Sequence, residues 1–206
     1  LAERGLQEAG LSGLQVPDSR MALGELAAGW RRQFHLPLVA VTGSNGKTTS
    51  KELIHAVLST VYKTYTTEGN LNNHIGIPLT ILKIKADVEI AIIEMGANHQ
   101  KEIEFLCTIA QPDYGYITNF GKAHLEGFGG VKGVIKGKSE MYTYLIKNNK
   151  TIFINSNDPI QVKKTKKASV FTFGNTVLGT DISISFVEAQ PFVSCLYIDF
   201  SPTTNR

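Results

Sequence analysis

Apolar residues along the chain follow two periods. Leu23, Leu26, Ala27, Trp30 and Phe34 fall at i, i+3, i+4, i+7 and i+11, a single stripe on a helix that Asp18 or Ser19 can cap. This predicts a linker helix docking on the domain after it. After Pro37, the run Leu38-Val39-Ala40-Val41 is continuously apolar and bounded by Thr42-Gly43, which predicts a buried strand. Leu53, Ile54, Val57, Leu58 and Val61 return to helical spacing. Strand-like runs recur at Val88 to Ile93, Tyr114 to Thr118, Thr151 to Ile154 and Val170 to Phe173, with helical patterns at 100–110 and 131–147 between them. This alternation predicts an α/β fold, a mostly parallel sheet flanked by helices. The tail differs: Ile182, Ile184 and Phe186, then Leu196, Ile198 and Phe200, alternate around Gln190-Pro191, which predicts a C-terminal antiparallel hairpin at the sheet's edge or beside it.

Composition narrows the function classes. The 206 residues suit one domain and part of another, and 42% hydrophobic against 19% charged residues supports a core and excludes a disordered tail. A net charge of +3 gives no basic footprint for nucleic acid, and Lys163, Lys164, Lys166 and Lys167 read as a solvated loop. No run approaches the roughly 18 apolar residues of a membrane helix, and no apolar signal region follows the N-terminus, so neither membrane insertion nor secretion is expected. Cys107 and Cys195 sit in apolar surroundings without metal-ligand spacing and read as reduced thiols of a cytoplasmic protein, expected to be a monomer. Residues 1–46 hold every arginine except Arg206 and contain neither lysine nor isoleucine. A mosaic of two parent sequences and a domain boundary both account for this shift. The absence of an initiator Met at Leu1 suggests a processed or excised chain.

Candidate chemistry begins directly after the first strand. Thr42-Gly43-Ser44-Asn45-Gly46-Lys47-Thr48-Thr49 leads from a strand into a helix, the context of a phosphate-binding loop. Glycines let successive N–H groups curl around an anion, and the helix N-terminus adds partial positive charge. Lys47 is placed to reach β- and γ-phosphates, and the Thr48 hydroxyl to bind Mg²⁺. Val41 stands where the common pattern has glycine. Opposite the loop, Glu94 ends an isoleucine-rich strand, where open α/β sheets hold their ligands, and suits a second Mg²⁺ ligand or a solvated strand end. His124, between Gly121 and Gly127 after the next strand, is a candidate ligand. Lys138, by spacing alone, is a surface lysine. Asn70, Asn72 and Asn73 lie in a loop able to grip an anion.

These residues resemble the Mur ligases. The phosphate loop is the variant found in that family, and four further segments agree in order and spacing: Asn70 to Pro78, Glu94 to Ile103, Asn119 to Gly129, and Lys138-Ser139-Glu140. The wording of Asn72 to Pro78 and of Ala123 to Gly129 is most similar to the branch that joins D-alanyl-D-alanine to UDP-N-acetylmuramoyl-tripeptide. The resemblance implies a P-loop central ATP-binding domain over residues 35–206. It also implies that residues 1–34 are the end of the N-terminal domain for the UDP substrate together with a linker helix, and that the C-terminal ligase domain is absent. It further implies ATP-driven formation of an acyl phosphate that the incoming amine attacks. In that reading Lys47, His124 and Lys138 are catalytic. Thr48 and Glu94 hold one Mg²⁺, and His124 with a carbamylated Lys138 holds another. Thr42 to Thr49, Asn72 and Asn73 meet ATP, as does the Asn155 to Asp158 stretch through Asn155 and Asp158. The chain alone is then expected to bind Mg-ATP without completing ligation. Two alternatives remain beside an active ligase: a nucleotide-binding fragment without turnover, and another amide ligase of the same superfamily. A GTPase is disfavoured because Asn155-Ser156-Asn157-Asp158 lacks the guanine-reading Asn-Lys-x-Asp.

Overall fold

A computed structural model describes residues 13, 15–175, 180–188 and 194–199. The chain runs α1 (Ser19–Arg31), β1 (Leu38–Thr42), α2 (Lys47–Leu58), β2 (Thr64–Thr66), α3 (Gly76–Leu82), β3 (Ile90–Glu94), α4 (Glu102–Ala110) and β4 (Tyr114–Ile117). It continues through α5 (Leu125–Phe128), α6 (Val131–Lys138), α7 (Glu140–Lys147), β5 (Thr151–Asn155), α8 (Pro159–Lys164), β6 (Ser169–Gly174), β7 (Ile182–Glu188) and β8 (Ser194–Asp199). These strands form one sheet in the order β2-β3-β1-β4-β5-β6-β7-β8, parallel except for the antiparallel β7–β8 pair at one edge. The hairpin expected from the alternating tail is therefore an extension of the sheet. Its strict alternation is interrupted by a register shift between Ile184 and Phe186. Gln190-Pro191, Phe200 and the Cys195 side chain lie outside the described residues.

The continuous apolar run of β1 is explained by burial on both faces. Leu38 and Ala40 face the main core with Ile77, Ile93, Leu106 and Leu145, whereas Val39 and Val41 face the opposite side with Ile92 and the half-buried Ile54 and Leu58 of α2. Parallel sheets covered on both sides read this way. β1 lies between β3 and β4, so the chain winds outward from it in both directions. The crevice beyond its carboxyl end is the topological switch point at which such sheets bind ligands.

Several elements differ from the apolar pattern. Asp18 caps α1, as expected, accepting from the Arg20 and Met21 amides. The buried face of α1, however, is Gly24, Ala27 and Arg31, and Leu26 is 62% exposed. Gly24 brings the helix against Phe105 and Ile109, and the Arg31 guanidinium finds enough acceptors to be buried. The Trp30 indole N–H, bonded to the Ile84 carbonyl at 3.1 Å, completes the docking of this helix. On α2, Leu53 and Val57 are exposed, as is Val61 just beyond its end, and the one fully buried residue of the helix is Lys51. The short helix α3 was not evident because it contains Pro78. The proline stands in the first turn, where a missing N–H costs nothing. The single pattern at 131–147 is two helices divided at Ser139, next to Glu140, whose carboxylate accepts from the Lys101 and Glu104 amides at the start of α4. Cys107 is free and buried, with its thiol pushed well up by burial, and the four clustered lysines are exposed. No helix is long and apolar enough to cross a membrane among the described residues.

Candidate active site

Three loops meet at the switch point, one each after β1, β3 and β4. The first connects β1 to α2. Gly43 has φ +146° and its α-carbon lies so close to Thr118 that a Cβ would stand 1.9 Å from the Thr118 hydroxyl. Gly46 takes φ +75° at the start of α2, a left-handed conformation that glycine adopts without strain. No side chain caps α2 and no acidic residue lies in its first turn, so its N-terminal N–H groups remain available to an anion. The Lys47 ammonium folds back over this loop, 3.5 Å from the Ser44 carbonyl. Thr42, also expected here, contributes backbone only, since its buried hydroxyl donates to the Met95 carbonyl at 2.7 Å. Asn45 and Thr49 are exposed at the loop surface.

The loop is held from the β4 side by Thr118, Asn119 and Gly121. Asn119 accepts from the Ser44 amide at 3.1 Å through its backbone carbonyl, and from the Asn45 amide at 3.3 Å through its side chain. Its amide nitrogen and the Thr118 hydroxyl both donate to the Asn45 carbonyl, at 3.0 and 2.6 Å. The Ser44 hydroxyl donates to the Gly121 carbonyl at 2.7 Å. The loop carrying His124 is therefore latched to the phosphate loop. A polar pair directly after a strand, Thr118-Asn119, was the available signal.

From β3, Glu94 is 1% exposed and points back to the loop. Its carboxylate accepts from the Thr48 hydroxyl at 2.8 Å and from the Asn72 amide at 2.7 Å. The Asn72 backbone carbonyl accepts from the Gly96 amide at 2.7 Å, which fixes the asparagine loop against the end of β3. The Asn73 side-chain oxygen is used locally, accepting from the Ile75 and Gly76 amides at the start of α3. A cleft of about 590 Å³ opens beside these groups, lined among others by Lys47, Asn72, Asn73, His124 and Lys138. His124 is exposed on its rim, with φ +52° at the head of α5.

Two lysines are buried, among them Lys138, whose spacing alone made it a surface residue. Lys138 is 2% exposed and donates to the Gly43 carbonyl at 2.9 Å, with its ammonium 5.5 Å from the Phe128 ring centroid. Burial, assisted by the positive charge of Lys47, pushes its pKa down to about 8. Lys51 is fully buried and donates to the Thr67 carbonyl at 2.6 Å. Asn155 ends β5 and Asp158 stands at the start of α8; neither is among the residues lining the cleft. The Asp158 carboxylate caps α8 through the Ile160 and Gln161 amides, and Asn155 accepts from the Asn157 amide. Gln161, which the sequence did not mark, ties this corner to β4 through the Ile117 carbonyl.

The pH behaviour of Lys138 is set by its environment. Its pKa falls on folding from 10.5 to about 8, so the protonated form opposes folding. That opposition is complete below about pH 8 and is relieved as pH rises from about 8 toward 10.5. Denaturant unfolding of the wild type and of Lys138→Met at about pH 7.5 and about pH 9.5 should show wild-type stability gaining on the variant at the higher pH. A difference independent of pH would mean that the ammonium is solvated.

The donor set suits one Mg²⁺. The Thr48 hydroxyl and the Glu94 carboxylate already lie together, and Mg²⁺ takes few protein oxygens, filling its other positions with water and phosphate. His124 and Lys138 are a different case, because an amine that donates to a carbonyl offers no lone pair to a cation. No cluster of three or more His, Cys, Asp or Glu suited to a metal occurs among the described residues.

The family description "Mur ligase middle domain" matches residues 41–196. The UDP-N-acetylmuramoyl-tripeptide–D-alanyl-D-alanine ligase of Escherichia coli K12 is 47% identical over 135 residues, covering 66% of this chain and 30% of that protein. The same-named ligase of Borreliella burgdorferi is 35% identical over 162 residues, 79% of this chain and 30% of its own length. Among solved structures, the MurF ligase of Thermotoga maritima in complex with ADP superposes with a TM-score of 0.81 at 31% identity, covering 91% of this chain and 44% of that one. MurF from Acinetobacter baumannii gives 0.80 at 33%, covering 93% and 45%. The chain thus spans about a third of the length of the curated relatives it matches. With the family's middle domain matched over most of its length and its loops meeting at the switch point, the chain belongs to the Mur ligase family.

Proposed function

We propose that this chain supplies the ATP-handling part of a ligase that joins D-alanyl-D-alanine to UDP-N-acetylmuramoyl-tripeptide in peptidoglycan precursor synthesis. The observation that carries the reading is the juxtaposition of Lys47 and Thr48, at the uncapped start of α2, with the Glu94 carboxylate 2.8 Å from the Thr48 hydroxyl. A cradle for phosphate thus faces an anionic group able to hold a counter-cation. The ADP bound by the Thermotoga maritima ligase supports ATP as the nucleotide. In domain terms, residues 1–34 are the end of a UDP-substrate domain with its linker helix, and residues 35–206 are the ATP-binding domain. The chain acts in the cytoplasm, in keeping with the free thiol of Cys107.

The chemistry needs charge neutralisation. A carboxylate oxygen of the tripeptide attacks the γ-phosphorus as its bond to ADP breaks, and the dipeptide amine then attacks the acyl carbon, releasing phosphate and a proton. Two anions must approach one another in the first step. Lys47 and the α2 N–H groups hold the phosphates and oppose their charge. Thr48 and Glu94 would hold Mg²⁺, which would supply positive charge against the charge that develops in the transfer. Asn72 orients Glu94, while Asn73 and His124 face the substrate side of the cleft. The neutral Lys138 amine adds to CO₂: an N–C bond forms, a C–O π bond opens, and a proton leaves. The resulting carbamate, unlike the amine, would carry oxygens able to hold a second Mg²⁺ together with the His124 imidazole. ¹³C-bicarbonate should therefore give a carbamate carbonyl resonance that Lys138→Met lacks. Its absence from the wild type would remove the second metal site.

Glu94→Gln keeps the shape and the Asn72 contact but loses the charge. It should slow phosphoryl transfer by about 100-fold or more while leaving metal-free ATP binding intact. A variant with unchanged transfer would exclude Glu94 as a metal ligand. The reading as a whole is tested by ADP binding to the 206-residue chain and by phosphate release on supplying the tripeptide and dipeptide substrates together. Release that needs both substrates assigns the ligase. Binding without release leaves the second reading, nucleotide binding alone. No binding rejects both.

A further inference from the structure

Lys51 is a fully buried lysine that neither the phosphate loop nor the cleft uses. It lies one turn along α2 from Lys47 and on the same face, yet its ammonium turns away from the loop and donates to the Thr67 carbonyl at 2.6 Å, with Glu52 as a second partner at 2.8 Å. Thr67 is itself fully buried and makes two further bonds to β3. Its hydroxyl accepts from the Glu94 amide at 2.9 Å, and its amide donates to the Ile92 carbonyl at 3.2 Å. Five residues later the same segment delivers Asn72 to the Glu94 carboxylate. A buried ammonium is costly unless hydrogen-bonded, so its retention here fixes the Thr67 carbonyl in one place.

We propose that Lys51 and Thr67 are positioning residues. Together they clamp the backbone at Glu94 and the root of the Asn72 loop, so that the Glu94 carboxylate meets Thr48 in the geometry a divalent cation needs. This rests on the nucleotide–metal reading above and adds the residues that aim its carboxylate. Neither residue touches the nucleotide in this account. Their loss should therefore weaken the response to Mg²⁺ and spare metal-free nucleotide affinity.

The experiment is calorimetric titration of ATP into the chain over a series of Mg²⁺ concentrations, for the wild type, Lys51→Met and Thr67→Val, with folding of each checked by circular dichroism. Thr67→Val preserves shape and carbonyl, and removes only the hydroxyl that receives the Glu94 amide. It decides the question if Lys51→Met does not fold. The Mg²⁺ midpoint should rise about 5- to 10-fold in each folded variant, with metal-free affinity within about twofold of wild type. The double variant should be no worse than the poorer single one, because both act through one clamp. A midpoint within about twofold of wild type in folded Thr67→Val would overturn the proposal, as would equal losses with and without Mg²⁺. A wild type that binds ATP without any Mg²⁺ dependence would overturn both this inference and the metal assignment, whereas a Mg²⁺-dependent wild type with unmoved variants sinks only the clamp.

Discussion

Lys47→Ala is expected to lower affinity for Mg-ATP by about 100-fold or more, because in the proposed reading it removes a charge-assisted contact to the β- and γ-phosphates. The Lys47 ammonium has only a long contact to the Ser44 carbonyl in the free chain, so little existing structure is lost with it. Thermal stability should consequently change by little more than that of an ordinary surface substitution. Lys51, four residues on, gives the converse result. It is buried on the Thr67 carbonyl, so its replacement affects folding and metal response before nucleotide affinity. Calorimetry of the two variants separates the roles. Equal losses of metal-free ATP affinity in both would reject Lys47 as the phosphate contact.

The second large effect concerns stability. Arg31, 5% exposed, anchors α1 at the amino-terminal end of the sheet, opposite the phosphate loop. Its guanidinium donates to the carbonyls of Ala110, Phe34 and Leu36 at 3.0, 3.0 and 3.2 Å, and to the Asp113 carboxylate at 3.1 Å. Asp113 also accepts from the Leu38 amide at the start of β1. Arg31→Met keeps the aliphatic stem and strands these acceptors. Breaking a buried ion pair costs about 3–5 kcal/mol, and Asp113 retains Lys150 at 2.6 Å, which places the loss at the lower end, about 3 kcal/mol. For a chain of this size the melting temperature should fall by about 6–12 °C. Calorimetric melting checks it. A fall below about 2 °C would mean that α1 is not held through this residue. Nucleotide affinity of the folded variant should be unchanged, since the network lies at the far end of β1.

The same two residues show what the amino-acid pattern could reveal. The run Leu38 to Val41 and the loop Thr42 to Thr49 were legible because local composition decides them: a strand buried on both faces has no polar side, and a chain that curls around phosphate needs glycine beside lysine and threonine. Glu94 was legible for the same reason, as a single carboxylate ending an apolar strand. Arg31, Lys51 and Lys138 were not. A periodic reading assigns long charged side chains to water, but here the burial is decided by carbonyl acceptors supplied from elsewhere in the chain. The Thr67 carbonyl is 16 residues from Lys51, the Ala110 carbonyl 79 from Arg31 and the Gly43 carbonyl 95 from Lys138. The stripe of α1 held at Ala27, Trp30 and Phe34 but not at Leu26, which is exposed while Gly24 and Arg31 are buried. Asn119 was legible as the start of a family segment, but its contact was not, because its side chain and carbonyl bond the backbone of a loop 74 residues away.

The central claim is that nucleotide phosphates sit at the start of α2 between Lys47 and Glu94. The most direct measurement is a crystal structure of this chain with Mg²⁺ and a non-hydrolysable ATP analogue. The account predicts β- and γ-phosphate oxygens on the N–H groups of the Gly43 to Thr49 segment and on the Lys47 ammonium, with the metal on the Thr48 hydroxyl and the Glu94 carboxylate. An analogue bound elsewhere, such as the cavity beside Arg31 and Asp113, with the start of α2 left empty, would contradict it.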